Sequence, residues 1–430
     1  MGNASPDHEL KIHRRTLLGL MSLFALRPSQ AASLSPPAPA LVVRYVEEFG
    51  AKGDGETDDT EAIQSALSQG GAIRFSSGRT YVVRARSNDI LQITKGGTHL
   101  LGDENAPPIL VYREADASLG EDIALLSISS ASVISNVSVM GLHFLCARKR
   151  YKLTSRPLIY AQNVRSFTFE GNVVENASYG VFLRNVSDFR LTRNRILHSV
   201  ADGIQASNQG SQASGTSLTR GEISHNHFQF NGDDCIAVGS QVDQEGKRTP
   251  SEIVIHHNFC ERQGPQGGGI GIYGSEGIQV YNNVIIGASK HGIAIITDTN
   301  NRQETNQRIV IENNTIVDVV RSDYSRDKYY NCAIVVGNRN SGGDSSYLAG
   351  PFADDVQIRS NAIYSRNRNG IVVSVGERFR GRGYLAPANV AISDNLLVNN
   401  SDHGAEVAAF IMIGAEDVKF SDNYVVGYDK

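Results

Sequence analysis

The sequence predicts an all-β protein, a single-stranded parallel β-helix with an N-terminal capping helix, and three observations lead to this class. An apolar-x-apolar-x-x-Asn pattern recurs between Phe167 and Asn423. A second short apolar segment follows most of these Asn residues at a nearly constant offset, with no helical period between the two. One helix-like segment stands ahead of the repeats. Short strands that recur in every repeat are typical of a solenoid, in which each repeat forms one coil, or rung.

The spacing of the repeated Asn residues supports a solenoid. Successive steps are 22, 32, 32, 25, 31, 47, 34 and 28 residues. A coil must return to its starting column, so it has a shortest length, and additional residues form outward loops. A propeller blade would need about 40–45 residues at even spacing. Asn suits a bend because its amide can satisfy backbone groups in a left-handed conformation. We expect these amides to bond from rung to rung: Asn172, Asn194, Asn226, Asn258, Asn283, Asn314, Asn361, Asn395 and Asn423.

A second strand is predicted after most of the repeated Asn residues. Its residues are apolar or small, and Gly usually precedes them. Two or more short strands per coil, stacked from coil to coil, make parallel sheets. The predicted strands begin at Gly180, Gly203, Cys235, Gly269, Gly292 and Gly370.

The segment from Val46 to Leu67 predicts the start of the solenoid. Asp58 or Asp59 can cap a helix that ends near Leu67, with Glu61 in its first turn. A terminal coil needs such a cap over its core. The acidic cluster also permits a metal site, but capping and turn formation are favoured. The segment resembles the opening of the pectate-lyase-superfamily domain, which implies a right-handed, pectin-lyase-like solenoid.

The N-terminus predicts an export signal. Arg14-Arg15 precedes an apolar stretch from Thr16 to Leu26, which is shorter than the about 20 residues of a membrane-spanning helix. A basic segment, a short apolar core and small residues make a signal peptide. The pair resembles a twin-arginine signal, which implies export by the twin-arginine translocase. We expect residues 1–40 to be signal and spacer, residues 41–430 to be the β-helix domain, and the product to be periplasmic or secreted without a stable membrane span.

Composition excludes some partners. The 430 residues contain 41 Lys+Arg and 45 Asp+Glu, so the net charge is −4. A nucleic-acid binder would show a concentrated positive excess, so no nucleic-acid partner is expected. Four cysteines permit three full pairings, and the sequence alone does not choose among them.

Three carboxylates are predicted to lie close together on neighbouring coils. Asp202 precedes one second strand, and Asp233-Asp234 precede the next. Adjacent parallel strands are about 4.8 Å apart. Carboxylates at this distance do not all ionise freely, so at least one pKa should rise. A protonated carboxyl beside an ionised one is the pair that cleaves glycosidic bonds. The alternatives are turn residues or a Ca²⁺ site; no other cofactor is expected.

The residues around these carboxylates resemble the polygalacturonase family of β-helix glycoside hydrolases. The resemblance lies in Asp-Gly-Ile, then Gly-Asp-Asp-Cys-Ile-Ala-Val-Gly, then Gly-Gly-Ile-Gly-Ile-Tyr-Gly, over roughly residues 200–280. It implies that Asp202, Asp233 and Asp234 act as general acid and as base for an attacking water, with Asp234 as the favoured acid. It also implies a disulfide between Cys235 and Cys260.

The sequence departs from that family at two places. Gly268 stands where the family has His, and the next rung has Lys290-His291 in place of the family's Arg-Ile-Lys. We expect His291 to be catalytic and Lys290 to bind substrate, replacing the missing positive groups from a shifted position. Tyr273 is expected to stack on a sugar, as are Tyr324, Tyr329 and Tyr330 in a long insertion. Surface positions are expected for His225, His227, His256 and His257.

These observations predict a polysaccharide- or oligosaccharide-active enzyme that hydrolyses glycosidic bonds by an inverting mechanism. A lyase or uronate epimerase is the first alternative, because Lys290, His291 or Ca²⁺ could neutralise a carboxylate while a base removes the adjacent proton. A non-catalytic binding or envelope scaffold is the second. The signal, the opening segment and the repeat also resemble twin-arginine-translocated β-helix repeat proteins, a resemblance that implies no chemistry.

Overall fold

Parallel strands stack in three sheets along the chain, which is described by a computed structural model. Each coil contributes one strand to each sheet in most of the solenoid. No helix among the described residues is long and apolar enough to cross a membrane. The predicted signal segment lies outside the described residues, which are 42–85, 89–113, 124–147, 157–208, 215–240, 249–261, 263–264, 267–298, 303–319, 332–339, 351–366, 368–374, 386–400, 407–415 and 417–428.

The first sheet contains the strands predicted ahead of the repeated Asn residues. All its neighbours pair in parallel, and each strand pairs with the strand of the next coil. Its 13 strands are β1 (Val43–Tyr45), β3 (Gly71–Arg74), β6 (Thr98–Leu101), β9 (Ile134–Met140), β12 (Val164–Glu170), β15 (Ser187–Thr192), β18 (Thr219–Ser224), β21 (Ser251–His256), β24 (Glu276–Tyr281), β27 (Asn306–Glu312), β30 (Ala353–Arg359), β33 (Ala388–Ser393) and β36 (Val418–Ser421).

The second sheet follows the Asn bend directly. Many of its strands are only three residues long, too short to show an alternating pattern in the sequence. Its 13 strands are β2 (Asp54–Asp58), β4 (Thr80–Val83), β7 (Ile109–Tyr112), β10 (His143–Cys146), β13 (Val173–Glu175), β16 (Arg195–Leu197), β19 (His227–Gln229), β22 (Phe259–Glu261), β25 (Val284–Ile286), β28 (Thr315–Val317), β31 (Ala362–Ser365), β34 (Leu396–Asn399) and β37 (Tyr424–Val426).

The third sheet contains the strands predicted after the repeated Asn residues. It begins later in the chain than the other two and carries the candidate site at the start of its strands. Its 11 strands are β5 (Asp89–Ile93), β8 (Ala124–Ile128), β11 (Ile159–Gln162), β14 (Val181–Arg184), β17 (Ile204–Asn208), β20 (Ile236–Ser240), β23 (Ile270–Tyr273), β26 (Ile293–Asp298), β29 (Cys332–Arg339), β32 (Asn369–Ser374) and β35 (Phe410–Ile413).

The predicted helix α1 spans Thr60–Gln69 and packs against β5 and a short 3₁₀ helix, Val46–Phe49. Its Ile63 and Leu67 are buried in the apolar core that the three sheets enclose. The acidic residues near the start of α1 accept hydrogen bonds from backbone N–H groups of the adjacent turns. Asp58 accepts the N–H of Thr60 at 3.1 Å, and Asp59, at the N-cap position, accepts the N–H groups of Lys52 and Gly53 instead of capping the helix.

The asparagine ladder is formed as the repeat predicts. Each Nδ2 donates to the Oδ1 of the next Asn along the chain, at 2.9–3.2 Å. Each Oδ1 also accepts the backbone N–H of the preceding Asn; Asn226 Oδ1, for example, accepts the N–H of Asn194 at 3.0 Å. The side chains are buried at nearly every rung. The ladder therefore satisfies polar backbone groups inside the solenoid wall.

Replacing Asn226 by Ala should destabilise the fold strongly. The change removes the acceptor of the Asn194 N–H and the donor to Leu191 O, both in a buried environment. Each unsatisfied buried group costs about 1–3 kcal/mol, so we expect the free energy of unfolding to fall by roughly 2–4 kcal/mol. Urea unfolding followed by circular dichroism measures the loss. Asn105→Ala, on an exposed turn, is the control, and equal effects of the two changes would contradict a structural role for the ladder.

Candidate active site

The three carboxylates meet at the entrance of β17 and β20. The N–H of Gly203 donates to the carbonyl of Asp234 at 2.9 Å, so Asp202 and Asp234 occupy equivalent positions on adjacent coils. The backbone N–H of Asp234 also donates to Asp202 Oδ1 at 3.1 Å. One carboxylate oxygen from each of Asp202, Asp233 and Asp234 lies within 4.8 Å of the others. The proximity that the sequence predicted is present.

The residues that precede the third-sheet strands form one column. The column follows from backbone hydrogen bonds between adjacent coils, in which the N–H groups donate to the carbonyls one coil later: Gly180 to Asp202, Gly203 to Asp234, Cys235 to Gly268 and Gly269 to His291. The sequence pattern omitted one member, because strand β29 brings Cys332 between His291 and Asn369. The column therefore places an imidazole two rungs after Asp234, with only Gly268 between them.

Gly268 makes room for contact between His291 and Asp234. A Cβ atom at position 268 would lie 2.4 Å from Asp234 Oδ1 and 2.5 Å from His291 Nε2. Those two atoms are 3.6 Å apart, close enough for an ion pair with a protonated imidazole but too long for a hydrogen bond. Neither atom has a hydrogen-bond partner elsewhere in the described part of the chain. His291 thus occupies the space that a side chain at position 268 would fill.

The second oxygen of Asp234 binds a phenol. Tyr273 donates its O–H to Asp234 Oδ2 at 2.6 Å. The tyrosine ring reaches the carboxylate by lying over Gly271, where a Cβ would be 2.4 Å from the ring and 2.5 Å from Asp234 Oδ2. Burial and the neighbouring Asp234 raise the pKa of Tyr273 well above its usual value, so the phenol remains a donor. Tyr273 therefore positions Asp234 through its hydroxyl, and the expected stacking of its ring on a sugar stays a prediction.

Lys290 forms an ion pair with Asp233. Its Nζ lies 3.0 Å from Asp233 Oδ1, and the Asp233 side chain keeps 40% of its exposure. Asp233 is the most accessible of the three carboxyls, since Asp202 and Asp234 are 8% and 3% exposed. Lys290 therefore contacts a carboxylate of the protein itself. Its expected contact with an acidic sugar stays a prediction.

The local environments shift the pKa values of the three carboxyls in different directions. Burial, with the charges of Asp233 and Asp234, raises the pKa of Asp202 well above its usual range. Burial and the charge of Asp234 also raise the pKa of Asp233, against the influence of Lys290. Burial alone would raise the pKa of Asp234, but interactions with His291, Lys290 and Tyr273 outweigh it and lower that pKa. The pKa of Asp234 is therefore shifted in the opposite direction to the pKa values of Asp202 and Asp233, so Asp234 is the carboxyl that loses its proton most readily.

The lowered pKa of Asp234 favours the role of base over the acid role expected from the sequence, and which carboxyl acts as acid stays a prediction. A general acid has to be protonated before it reacts, and an ionised carboxylate can only accept a proton. Asp233 meets both requirements of an acid, because its pKa is raised and its side chain is accessible. The sequence could not show this assignment, since it depends on cations from the rung that carries Lys290 and His291.

Asp202 should make folding less favourable at neutral pH. Its pKa is higher in the folded chain than the ordinary 3.8, so its stabilising contribution is complete below about pH 4 and is lost as pH rises through the folded pKa. Asp202→Asn keeps an acceptor for the Asp234 N–H but does not ionise. We expect its melting temperature to exceed that of the wild type increasingly from pH 4 to pH 8, by roughly 2–4 °C at the top of the range. A constant difference across that range would contradict the raised pKa.

The expected Cys235–Cys260 disulfide is not formed in the structure. Both residues are free, fully buried thiols. Burial and the neighbouring Cys260 raise the pKa of Cys235 well above its usual value. Formation of a disulfide between these two residues in the exported protein stays a prediction.

The acidic cluster also has the donor set of a cation site. However, Lys290 already binds Asp233, and Tyr273 already donates to Asp234. These contacts supply positive charge and hydrogen-bond donors where an ion would bind. They favour the catalytic interpretation, and Ca²⁺ binding stays a prediction.

Two other expectations concern residues away from the carboxylates. His225, His256 and His257 stack along the outer side of the first sheet, with His225 and His257 rings parallel at 4.9 Å. These histidines lie at the first sheet, whereas the carboxylates lie at the third sheet. His256 is largely covered, with 15% of its side chain exposed. Tyr324, Tyr329 and Tyr330, and most of the long insertions, lie outside the described residues.

Two family models match the chain. Residues 43–241 match "Rhamnogalacturonase A/epimerase, pectate lyase-like", and residues 179–341 match "Right handed beta helix region". The fold is a right-handed parallel β-helix. No curated protein sequence matches this chain.

Solved structures with this fold have diverse activities. An exopolygalacturonase from Thermotoga maritima is 14% identical, with a TM-score of 0.60 over 91% of this chain and 93% of that one. The A-module of the mannuronan C-5 epimerase AlgE6 from Azotobacter vinelandii is 16% identical, with a TM-score of 0.58 over 89% and 97%. The surface adhesin PfbA of Streptococcus pneumoniae is 17% identical, with a TM-score of 0.56 over 90% and 93%. At these identities the similarity establishes the fold, and the activity has to be inferred from the site.

Proposed function

We propose that the protein hydrolyses glycosidic bonds of a polysaccharide, with Asp233 as general acid and Asp234 as base. The supporting observation is that the environments of two adjacent carboxyls differ: the pKa of the accessible Asp233 is raised, and the pKa of the buried Asp234 is lowered. Such a pair is what glycoside hydrolysis requires. The solved structures of similar fold include polysaccharide-active enzymes, which agrees with this substrate class.

The proposed reaction balances over the two carboxyls. Asp233 donates its proton to the glycosidic oxygen as the bond from that oxygen to the anomeric carbon breaks. Water attacks the anomeric carbon and loses a proton to Asp234, and solvent then restores both protonation states. Inverting enzymes usually separate their carboxyls by about 6.5–9.5 Å, whereas the oxygens here lie within 4.8 Å. This separation is shorter than that of inverting enzymes, and the inverting course of the reaction stays a prediction.

A lyase or epimerase is the second candidate, favoured by the contact of Asp234 with both His291 and Tyr273. Proton abstraction beside a uronate needs a base and a cation for the uronate carboxylate. Here the raised pKa makes Tyr273 a poor base, and Lys290 already pairs with Asp233. Hydrolysis is therefore preferred. A non-catalytic scaffold remains the rival from another class, since PfbA is described as an adhesin.

Product chemistry distinguishes the three functions. The chain would be incubated with polygalacturonate, mannuronan, rhamnogalacturonan and a neutral α-glucan. New reducing ends without absorbance from unsaturated sugars would support hydrolysis, and proton NMR of the first product would show whether the anomer inverts. Absorbance from unsaturated sugars would indicate a lyase, and altered uronate stereochemistry without cleavage would indicate an epimerase. Binding without any of these changes would support the scaffold.

We also propose that residues 1–40 direct twin-arginine export to the periplasm or beyond. The supporting feature is Arg14-Arg15 ahead of a short apolar stretch. Changing both arginines to lysine keeps the positive charge but removes the arginine pair. Loss of the exported form in cell fractions, with the cytoplasmic form retained, is the expected result; unchanged export would overturn the proposal.

A further inference from the structure

Three histidines converge on the outer side of the first sheet, where β18 and β21 end. His225 and His257 each stand directly before an asparagine of the ladder, in the left-handed region with φ of 57° and 54°, and both are exposed. His256, the last residue of β21, lies beside them. The ring centroids of the three histidines are 4.9, 5.1 and 5.6 Å apart. His225, His256 and His257 are called the histidine cluster.

The repeat brings the cluster together. The position before the ladder asparagine recurs from coil to coil, so His225 and His257 occupy equivalent places on adjacent coils, and the N–H of His225 donates to the His256 carbonyl at 3.2 Å. Asn226 and Asn258, which follow them, are buried in the ladder. The bend that serves the fold therefore leaves an imidazole outside on each of two coils, and His256 adds a third. The sequence predicted a surface position for each residue but not the contact between them.

Two ring nitrogens of the cluster face each other, since His256 Nδ1 and His257 Nδ1 are 2.8 Å apart. On the other side of its ring, His256 Nε2 lies 3.3 Å from Glu222 Oε1. A carboxylate accepts hydrogen bonds, so this Nε2 carries a hydrogen and the Nδ1 of His256 keeps its lone pair. The amide nitrogen of Asn282 lies 3.4 Å from His257 Nε2 and donates to it, so the hydrogen of His257 is on Nδ1. One proton therefore lies between the two facing nitrogens.

This arrangement has the features of a metal-binding imidazole pair. Histidines that bind a metal usually donate their other ring N–H to a carboxylate, which fixes the tautomer, and Glu222 has that place beside His256. Metal–nitrogen bonds in a tetrahedral zinc site put two nitrogens about 3.3 Å apart, so the facing Nδ1 atoms need to separate only slightly from 2.8 Å. Burial lowers the pKa of His256, and His257 and His225 add to this effect against that of Glu222. The lone pair of His256 is therefore available at neutral pH.

We propose that the histidine cluster binds one divalent transition-metal ion of the class that prefers imidazole ligands, represented by Zn²⁺ and Cu²⁺. His256 and His257 supply their Nδ1 atoms, and the proton between them is released to solvent as the ion binds. The exposed His225 ring turns about its side-chain bonds to supply a third nitrogen, and water completes the coordination. The ion would link two adjacent coils of the first sheet. This inference is independent of the proposed hydrolysis, which uses the carboxyls at the third sheet.

Calorimetric titration of the full, untagged chain with Zn²⁺ tests the site directly. We expect His257→Asn to raise the Kd for Zn²⁺ roughly tenfold or more, as for loss of a neighbouring carboxylate or a ligand. Asparagine suits the left-handed backbone, since Asn282 and Asn313 occupy the same position on later coils with φ of 54° and 55°. His198→Asn is the matched control, because His198 has φ of 58° but stacks on Phe230 instead. Equal Kd values for the two variants would overturn the proposal.

Two further variants locate the ion. Glu222→Gln should also weaken Zn²⁺ binding by roughly tenfold, because it removes the carboxylate behind His256. Asp234→Asn should leave the Kd unchanged, since the carboxyls take no part in this site. Titration in two buffers of different ionisation heat should show release of about one proton for each bound ion. Loss of binding in Asp234→Asn but not in Glu222→Gln would place the ion at the carboxyls, and absence of Zn²⁺ binding to the wild type would likewise overturn the proposal.

Spectroscopy identifies the ligand atoms without any enzymatic assay. Electron paramagnetic resonance of the chain loaded with one equivalent of Cu²⁺ should show hyperfine coupling to imidazole nitrogens. His225→Asn should reduce the number of coupled nitrogens by one, and His257→Asn should abolish the signal of the paired rings. A Cu²⁺ spectrum of oxygen ligands alone, or a nitrogen count that neither variant changes, would contradict the site while leaving the proposed hydrolysis untouched.

Discussion

Asp234→Asn should reduce kcat by about 10²–10⁴-fold, the usual contribution of a general base. The amide keeps the size of the carboxyl and an acceptor for the Tyr273 hydroxyl, which lies 2.6 Å away. It cannot accept the proton of an attacking water. Initial rates on the polymer cleaved by the wild type would measure the loss. Asp188→Asn is the matched control, because that aspartate pairs with Arg220 on the first sheet, away from the site.

The Asp233→Asn variant distinguishes the general acid from the general base. Asp233→Asn removes the proposed acid, so it should be equally damaging on the polymer but much less so on an aryl glycoside whose leaving group needs no proton. Asp234→Asn should be damaging on both substrates. If the aryl glycoside rescued Asp234→Asn instead, the acid and base would have to be exchanged, as the sequence alone suggested. If neither variant lost activity while both stayed folded, the carboxyls would be structural.

His291→Ala should move the acid limb of the pH profile of kcat/KM upward, with activity at pH 6 reduced by roughly tenfold or more. That limb reports the base, which must be ionised. His291 is the largest of the influences that lower the pKa of Asp234, so without it burial should raise that pKa. The pH–rate profiles of variant and wild type test this result, and a proportional loss at every pH would contradict it.

Gly268 supplies the matching test. Gly268→Ala should be nearly as damaging as His291→Ala, because its Cβ would lie within 2.5 Å of both Asp234 Oδ1 and His291 Nε2. The double variant Gly268→Ala with His291→Ala should lose little more activity than either single variant, because both changes disturb the same contact between His291 and Asp234. Fully additive losses in a folded protein would contradict this shared contact.

The parts of the molecule that could be predicted from the sequence depend on short-range patterns. The asparagine ladder was evident because Asn258, for instance, must meet the same backbone groups as Asn226 one coil earlier. The closeness of Asp202 to Asp234 followed from the same stacking. The three-residue strands of the second sheet were missed, since strands such as Val284–Ile286 are too short to show alternation.

The roles within the site depend on contacts between rungs, which the pattern does not contain. Whether Asp234 is acid or base depends on His291, and that contact exists only because Gly268 has no side chain. The contact between Lys290 and Asp233 is likewise a contact between rungs that the sequence pattern does not contain, and the substrate-binding role of Lys290 stays a prediction. The contact of Tyr179 with Phe182 was not predicted either, because it depends on which face of β14 points outward.

The asparagine ladder has a direction. Every amide donates to the coil that follows it in the chain and accepts from the coil before it, as Asn194 does between Asn172 and Asn226. When folding proceeds from the N-terminal helix, each coil that docks completes the hydrogen bonds of its predecessor. That order is also the order of synthesis, in which N-terminal parts emerge first. Within the ladder, the last Asn of a partly assembled solenoid therefore lacks an acceptor for its backbone N–H and for one Nδ2 hydrogen until the next coil docks.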